Sequence, residues 1–113
     1  FYEEASGRIY FHGAGEGHKI DAIRRCDKVS FNVHDAGVKL EGDWAYTVRS
    51  VTVFGRLHIL EDRDRAMALL RQIGLKYYPS VEEVDQVMER AASRVTMLEL
   101  VPEHITGKRV HEK

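Results

Sequence analysis

The chain has 113 residues, 43% of them hydrophobic and 31% charged, with 17 Lys and Arg against 18 Asp and Glu. A length of this order favours one domain, spanning 1–113, with a modest core, and the net charge of -1 leaves no basic excess to neutralise nucleic-acid phosphates. No apolar run approaches the roughly 18 residues of a membrane span, so neither nucleic acid nor membrane is expected as a partner.

Arg8 to His12 is rich in β-branched and aromatic residues and predicts a strand. It runs into a glycine-rich turn, Gly13-Ala14-Gly15-Glu16-Gly17. From His18 to about Cys26, Ile20 and Ile23 share one face, which predicts a short helix. Val29, Phe31 and Val33 alternate with Ser30, Asn32 and His34 as in a half-buried strand. Val38 to Val48 is a weaker extended segment, broken at Glu41-Gly42-Asp43. Arg49 to Leu60 is the longest strand, with Val51, Val53, Leu57 and Ile59 on one face and Gly55 predicting a bulge or a close backbone approach.

The period then changes. Ala66, Leu69, Leu70, Ile73 and Tyr77 form the stripe of an amphipathic helix. Pro79 ends it, and Ser80 with Glu83 three residues on is a capping-box pattern opening a second helix through Val84, Val87, Met88 and Ala91. Arg94 to Val101 returns to strand, and His104 to Lys113 reads as a polar tail. Adjacent strands joined by short turns, with helices set apart, define an antiparallel α+β or small-barrel protein. The Leu69 and Val84 stripes are expected to be packing faces. Trp44 and Tyr46 are expected at a barrel wall or subunit contact, with stacking on a ligand as the alternative.

Single side chains add limits. Cys26 is the only cysteine; it can form no internal disulfide, is expected to be buried as a small hydrophobe, and fits a cytoplasmic, reducing compartment. The six histidines show no metal-ligand spacing, so no metal site is expected. Strand, glycine turn and helix are, by contrast, the context in which phosphates bind: backbone N–H groups come close and the helix N-terminus is electropositive. Lys19 and His18 add side-chain donors in the first turn. The segment fails the P-loop pattern, since His18 and Ile20 stand where Gly and Ser/Thr are needed, and the dinucleotide pattern fails at His18. By spacing alone, a phosphate cradle and a plain tight turn with a solvated Lys19 both remain open.

Three blocks carry a family resemblance. They are Ile9-Tyr10-Phe11-His12-Gly13-Ala14 with Gly17-His18-Lys19-Ile20-Asp21-Ala22-Ile23, then Arg49-Ser50-Val51-Thr52-Val53-Phe54-Gly55 with Glu61-Asp62, and finally Leu98-Glu99-Leu100 leading to Ile105-Thr106-Gly107-Lys108. In this order they resemble the pyridoxamine 5'-phosphate oxidase-like split-barrel flavoproteins, closest to the nitroimidazole-resistance branch. The resemblance implies a mainly β, antiparallel, Greek-key split barrel with peripheral helices. It also implies a homodimer with FMN at each end of the subunit interface.

By the same resemblance Phe11, His12 and Gly13 lie along the flavin's ribityl phosphate, and Gly17, His18 and Lys19 grip the phosphate. Ser50 and Val51 touch the flavin, and His12 is the candidate acid–base residue, imidazole being suited to proton transfer near neutral pH. The implied activity passes electrons from a reduced nicotinamide through FMN to a small electrophile of nitroaromatic or quinone type. A non-catalytic flavin- or haem-related binding module, or a homologue with an empty site, are the alternatives. Gly17-His18-Lys19 replaces the oxidase's Ser-Arg-Lys, and loss of the guanidinium's bidentate geometry is expected to weaken FMN binding. No counterpart of the oxidase's C-terminal substrate segment follows Gly107-Lys108, which argues against pyridoxamine phosphate as substrate. The family's first strands and leading helix are expected to be missing, Phe1 opening where a hairpin into the Ile9 strand belongs.

Overall fold

A computed structural model describes residues 1–112. The chain runs β1 (Tyr2–Glu3), β2 (Arg8–Ala14), α1 (His18–Arg25), β3 (Lys28–His34), β4 (Val38–Lys39), β5 (Tyr46–Ile59), α2 (Arg63–Tyr77), α3 (Val81–Ala91), a 3-10 turn (Ala92–Arg94) and β6 (Val95–Glu112). Its strands form one six-stranded antiparallel sheet in the order β1-β2-β6-β5-β3, with β4 beside β5. The fold is α+β, as expected, and the Phe1–Ile9 region is a hairpin: Tyr2 pairs with Ile9 and Glu3 with Arg8.

Register partners share a face of the sheet, so the ladder sorts the core into two halves. On one face Tyr10 and Met97 lie under Ala66, Leu69 and Ile73 of α2, and all five are buried. On the other, Leu100 pairs with Ile9 and Leu57, and Leu98 with Phe11 and Ile59; Leu98 and Leu100 are buried. Phe31 of β3 meets Phe11 edge-to-face, with ring centroids 5.1 Å apart. Further along β5 this second face loses its cover. Val53 is buried, but Val51 is 42% and Ile105 is 56% exposed.

The spine is the β5–β6 ribbon, paired from Tyr46↔Glu112 to Ile59↔Leu98. Residues 104–112 are therefore strand and not a polar tail. Their backbone is held by the ladder to β5 while residues 104–111 are largely open to solvent on both faces, so no apolar alternation marks them; Lys113 lies outside the described residues. One register shift interrupts the ribbon, where Phe54 pairs with His104 but Gly55 with Pro102. A Cβ on Gly55 would sit 2.2 Å from the Val101 carbonyl oxygen, which is the close approach expected there. The bulge also accommodates Pro102, which has no N–H to give a regular ladder.

The helix ends follow local chemistry. Asp62 caps α2 by accepting from the Arg65 N–H, and Ser80 caps α3 by accepting from the Glu83 N–H at 3.2 Å. Tyr77 closes the α2 stripe in sequence, yet it is 71% exposed because the core ends at Ile73. Cys26 is exposed, correcting the expectation of burial: it follows the last turn of α1 as its extended C-cap, beyond the face that buries Ile20. Trp44 and Tyr46 are also exposed. No helix among the described residues is long and apolar enough to cross a membrane.

Carboxylates tie the strand ends together. Asp27 accepts from the Arg56 guanidinium at 2.7 Å and lies 3.0 Å from the His58 ring nitrogen. Asp35 takes the Arg49 N–H and its guanidinium, and Asp43 takes the Ala45 N–H and meets His111. These contacts hold all three carboxyls below the usual range: Arg56 is the main cause at Asp27, the Arg49 backbone at Asp35 and the Ala45 backbone at Asp43. A group whose pKa is depressed by folding contributes stability above its unfolded pKa and loses it as pH falls through the folded value. The share of the urea midpoint due to these three carboxyls should thus be constant above about pH 5 and fall below about pH 4. A smaller acid slope is expected for Asp27→Asn, and a wild-type midpoint unchanged down to pH 3 would contradict the assignment.

Candidate functional site

The glycine turn after β2 builds a cavity of about 190 Å³ against α1. Its wall includes Gly13, Ala14, Gly17, His18 and Lys19, with His12 on one side and Thr96 and Leu98 of β6 beneath. Gly17 is the N-cap of α1 at φ 132°, a backbone conformation that favours glycine. It has no side chain with which to cap, so no side-chain acceptor takes the first N–H groups of the helix. Those donors, the helix dipole and the Lys19 ammonium converge on the turn. His18 and Lys19 are exposed, and neither has an ion-pair partner among the described residues. Such a cradle fits a phosphate monoester. Glu16 is the one carboxylate on its rim.

Of the residues expected at the site, His12, Gly13, Gly17, His18 and Lys19 come together. Phe11 does not line this cavity. It shares a face with Gly13, Thr96 and Leu98 but packs on Phe31, whereas the His12 side chain lies on the opposite face of the strand. Ser50 and Val51 also lie elsewhere, since Ser50 pairs with Lys108 whereas His12 pairs with Met97 of the same strand. That separation is on the order of 35 Å of strand. Ser50 and Val51 themselves point to opposite faces.

Thr96 and Leu98 are lining residues that the sequence does not assign to the site, Leu98 standing there only in a block of the family resemblance. Thr96 sits opposite Gly13 only through the β2–β6 register, a pairing across more than 80 positions that leaves no local signal. No group of three or more His, Cys, Asp or Glu among the described residues is placed to hold a metal ion.

An antiparallel sheet with a glycine-turn cavity between its β2 strand and α1 places the molecule among split-barrel proteins. Residues 1–109 match the pyridoxamine 5'-phosphate oxidase family, and the chain belongs to it. No curated protein sequence matches the chain. Several solved structures share the fold. A candidate 5-nitroimidazole antibiotic resistance protein of Bacteroides thetaiotaomicron is 20% identical at TM-score 0.68, over 93% of this chain and 63% of its own. A conserved hypothetical protein of Mycobacterium tuberculosis is 19% identical at TM-score 0.73, over 89% of this chain and 60% of its own. A FAD-binding protein of Mesorhizobium loti is 22% identical at TM-score 0.60, over 96% of this chain and 71% of its own. The chain thus spans less than two thirds of the first two proteins.

Proposed function

We propose that the protein binds FMN, with the phosphate in the cradle before α1, and works as a flavin-dependent oxidoreductase. The observation that carries this reading is the convergence of unshared α1 N–H groups, His18 and Lys19 on one cavity. The cradle offers one phosphate-sized anion site, which favours FMN over FAD. Family membership and the FAD-binding relative of similar fold support a flavin as the bound group.

When bound, the flavin would supply two-electron chemistry between a reduced nicotinamide and a small electrophile of nitroaromatic or quinone type. Lys19 neutralises phosphate charge, and His18 adds a directional donor. His12 borders the cradle, but its side chain lies on the Tyr10 face of the sheet, away from Thr96 and Leu98, so no proton transfer at the flavin is assigned to its imidazole.

A homodimer completes the site in this reading. The uncovered Val33, Val51 and Ile105 surface is the kind of apolar patch that a second subunit covers. Ser50 and Val51, remote from the cradle of their own chain, would then serve the flavin held across the interface. The test is the identity of the bound group. Protein purified from a flavin-replete host should be yellow, release FMN by mass on denaturation, and lose its colour on anaerobic addition of a reduced nicotinamide. Colourless protein whose melting temperature does not rise with added FMN would overturn the reading, because a ligand binding only the folded form must stabilise it.

A further inference from the structure

A second cavity, of about 350 Å³, lies between α2 and α3. The helices touch closely where a Cβ on Gly74 would come 2.9 Å from Val84 Cγ1. Ile73 of α2 and Val87 and Met88 of α3 form its walls, and Tyr77 and Tyr78 stand at its rim. Its volume is within the range of about 300–1,000 Å³ typical of small-molecule sites. No acidic or basic side chain lines it apart from His12, which reaches it from β2.

His12 lines the phosphate cradle as well. Alternation along β2 puts it on the Tyr10 side of the sheet, facing the helices, and so it is the wall between an anion site and an apolar cleft. A charged ligand would be desolvated in this cleft with no partner of opposite charge. A neutral ring would replace the hydration of aliphatic walls and gain offset contact with the two tyrosines.

We propose that the α2–α3 cavity is a binding site for a neutral, mainly apolar compound of one or two fused rings, with a single polar substituent that hydrogen-bonds the His12 imidazole. Phosphorylated rings are excluded. The site needs no bound flavin, so it can be tested apart from the phosphate cradle.

The test uses methionine methyl NMR on the full chain, which has three methionines. Met88 lines the cavity, while Met67 and Met97 belong to the core beneath α2. Titration with 2-naphthol should shift the Met88 methyl saturably and leave Met67 and Met97 nearly unmoved. Naphthalene, and more so 2-naphthoate, should bind at least about tenfold more weakly. His12→Leu should erase the preference of 2-naphthol over naphthalene. Val87→Trp and, separately, Ala91→Phe should abolish the shift, so a folding failure of one leaves the other to decide. The His18→Ala/Lys19→Ala variant should bind 2-naphthol normally even if it loses flavin. A Met88 signal unmoved up to the solubility limit, moved equally by 2-naphthoate, or governed by protein concentration because a second copy fills the cleft, would overturn the proposal.

Discussion

Replacing His18 and Lys19 together with alanine is expected to lower FMN affinity by about a hundredfold or more, since charge-assisted hydrogen bonds contribute roughly 1.5–3 kcal/mol each. The loss stays below the full sum because the α1 N–H groups remain and neighbouring contacts are not additive. Folding should be nearly untouched. Both side chains are exposed, and surface substitutions of this kind usually change stability by no more than about 0.5 kcal/mol. Fluorescence titration of flavin-free protein reads the affinity, and urea denaturation reads the stability. An FMN affinity within threefold of wild type, with the fold intact, would remove the phosphate assignment.

The largest effect on stability is expected at Gly55. A methyl group there would lie 2.2 Å from the Val101 carbonyl oxygen and 3.0 Å from the Pro102 Cα. Both obstacles are backbone in the long β5–β6 ribbon and cannot turn aside as a side chain would. Gly55→Ala should therefore cost about 3 kcal/mol or more, at the upper end of what overpacking does. Gly13→Ala is the control, since nothing lies within 4 Å of the added Cβ. A Gly55→Ala urea midpoint equal to that of Gly13→Ala would show that the bulge is not held as described.

Local chemistry made much of this legible in sequence. Ile20 and Ile23 mark α1, and the Ser80–Glu83 spacing marks the start of α3, because caps and amphipathic stripes are short-range features. Gly55 announced a close approach without naming its partner, which only the pairing with Pro102 supplies. The cradle was legible for a similar reason: Gly13 to Lys19 are contiguous, and the helix start is built from them alone. Residues 104–112 were not. A strand exposed on both faces has no hydrophobic period, and only the long-range ladder to β5 makes it one.

The remaining differences are also differences of distance along the chain. Phe11 and His12 are neighbours in sequence but face opposite sides of β2, so Phe11 packs on Phe31 on the Leu98 face while the His12 side chain turns to the Tyr10 face and the helices. By the resemblance Ser50 and Val51 touch the flavin, yet the chain's own sheet holds them far along β6 from the cradle. The α2 and α3 stripes read as packing faces, and for Leu69 and Val84 they are. The same stripes also leave a cavity beyond the Gly74–Val84 contact, because helices held close at one point need not fill the space on either side.

The central claim is that the turn before α1 holds a phosphate. Its most direct test compares FMN with riboflavin on flavin-free protein, since the two differ only in the phosphate. The account predicts that FMN binds about a hundredfold or more tightly than riboflavin, and that His18→Ala/Lys19→Ala closes most of that gap by weakening FMN alone. Equal affinity for FMN and riboflavin in the wild-type protein would contradict it.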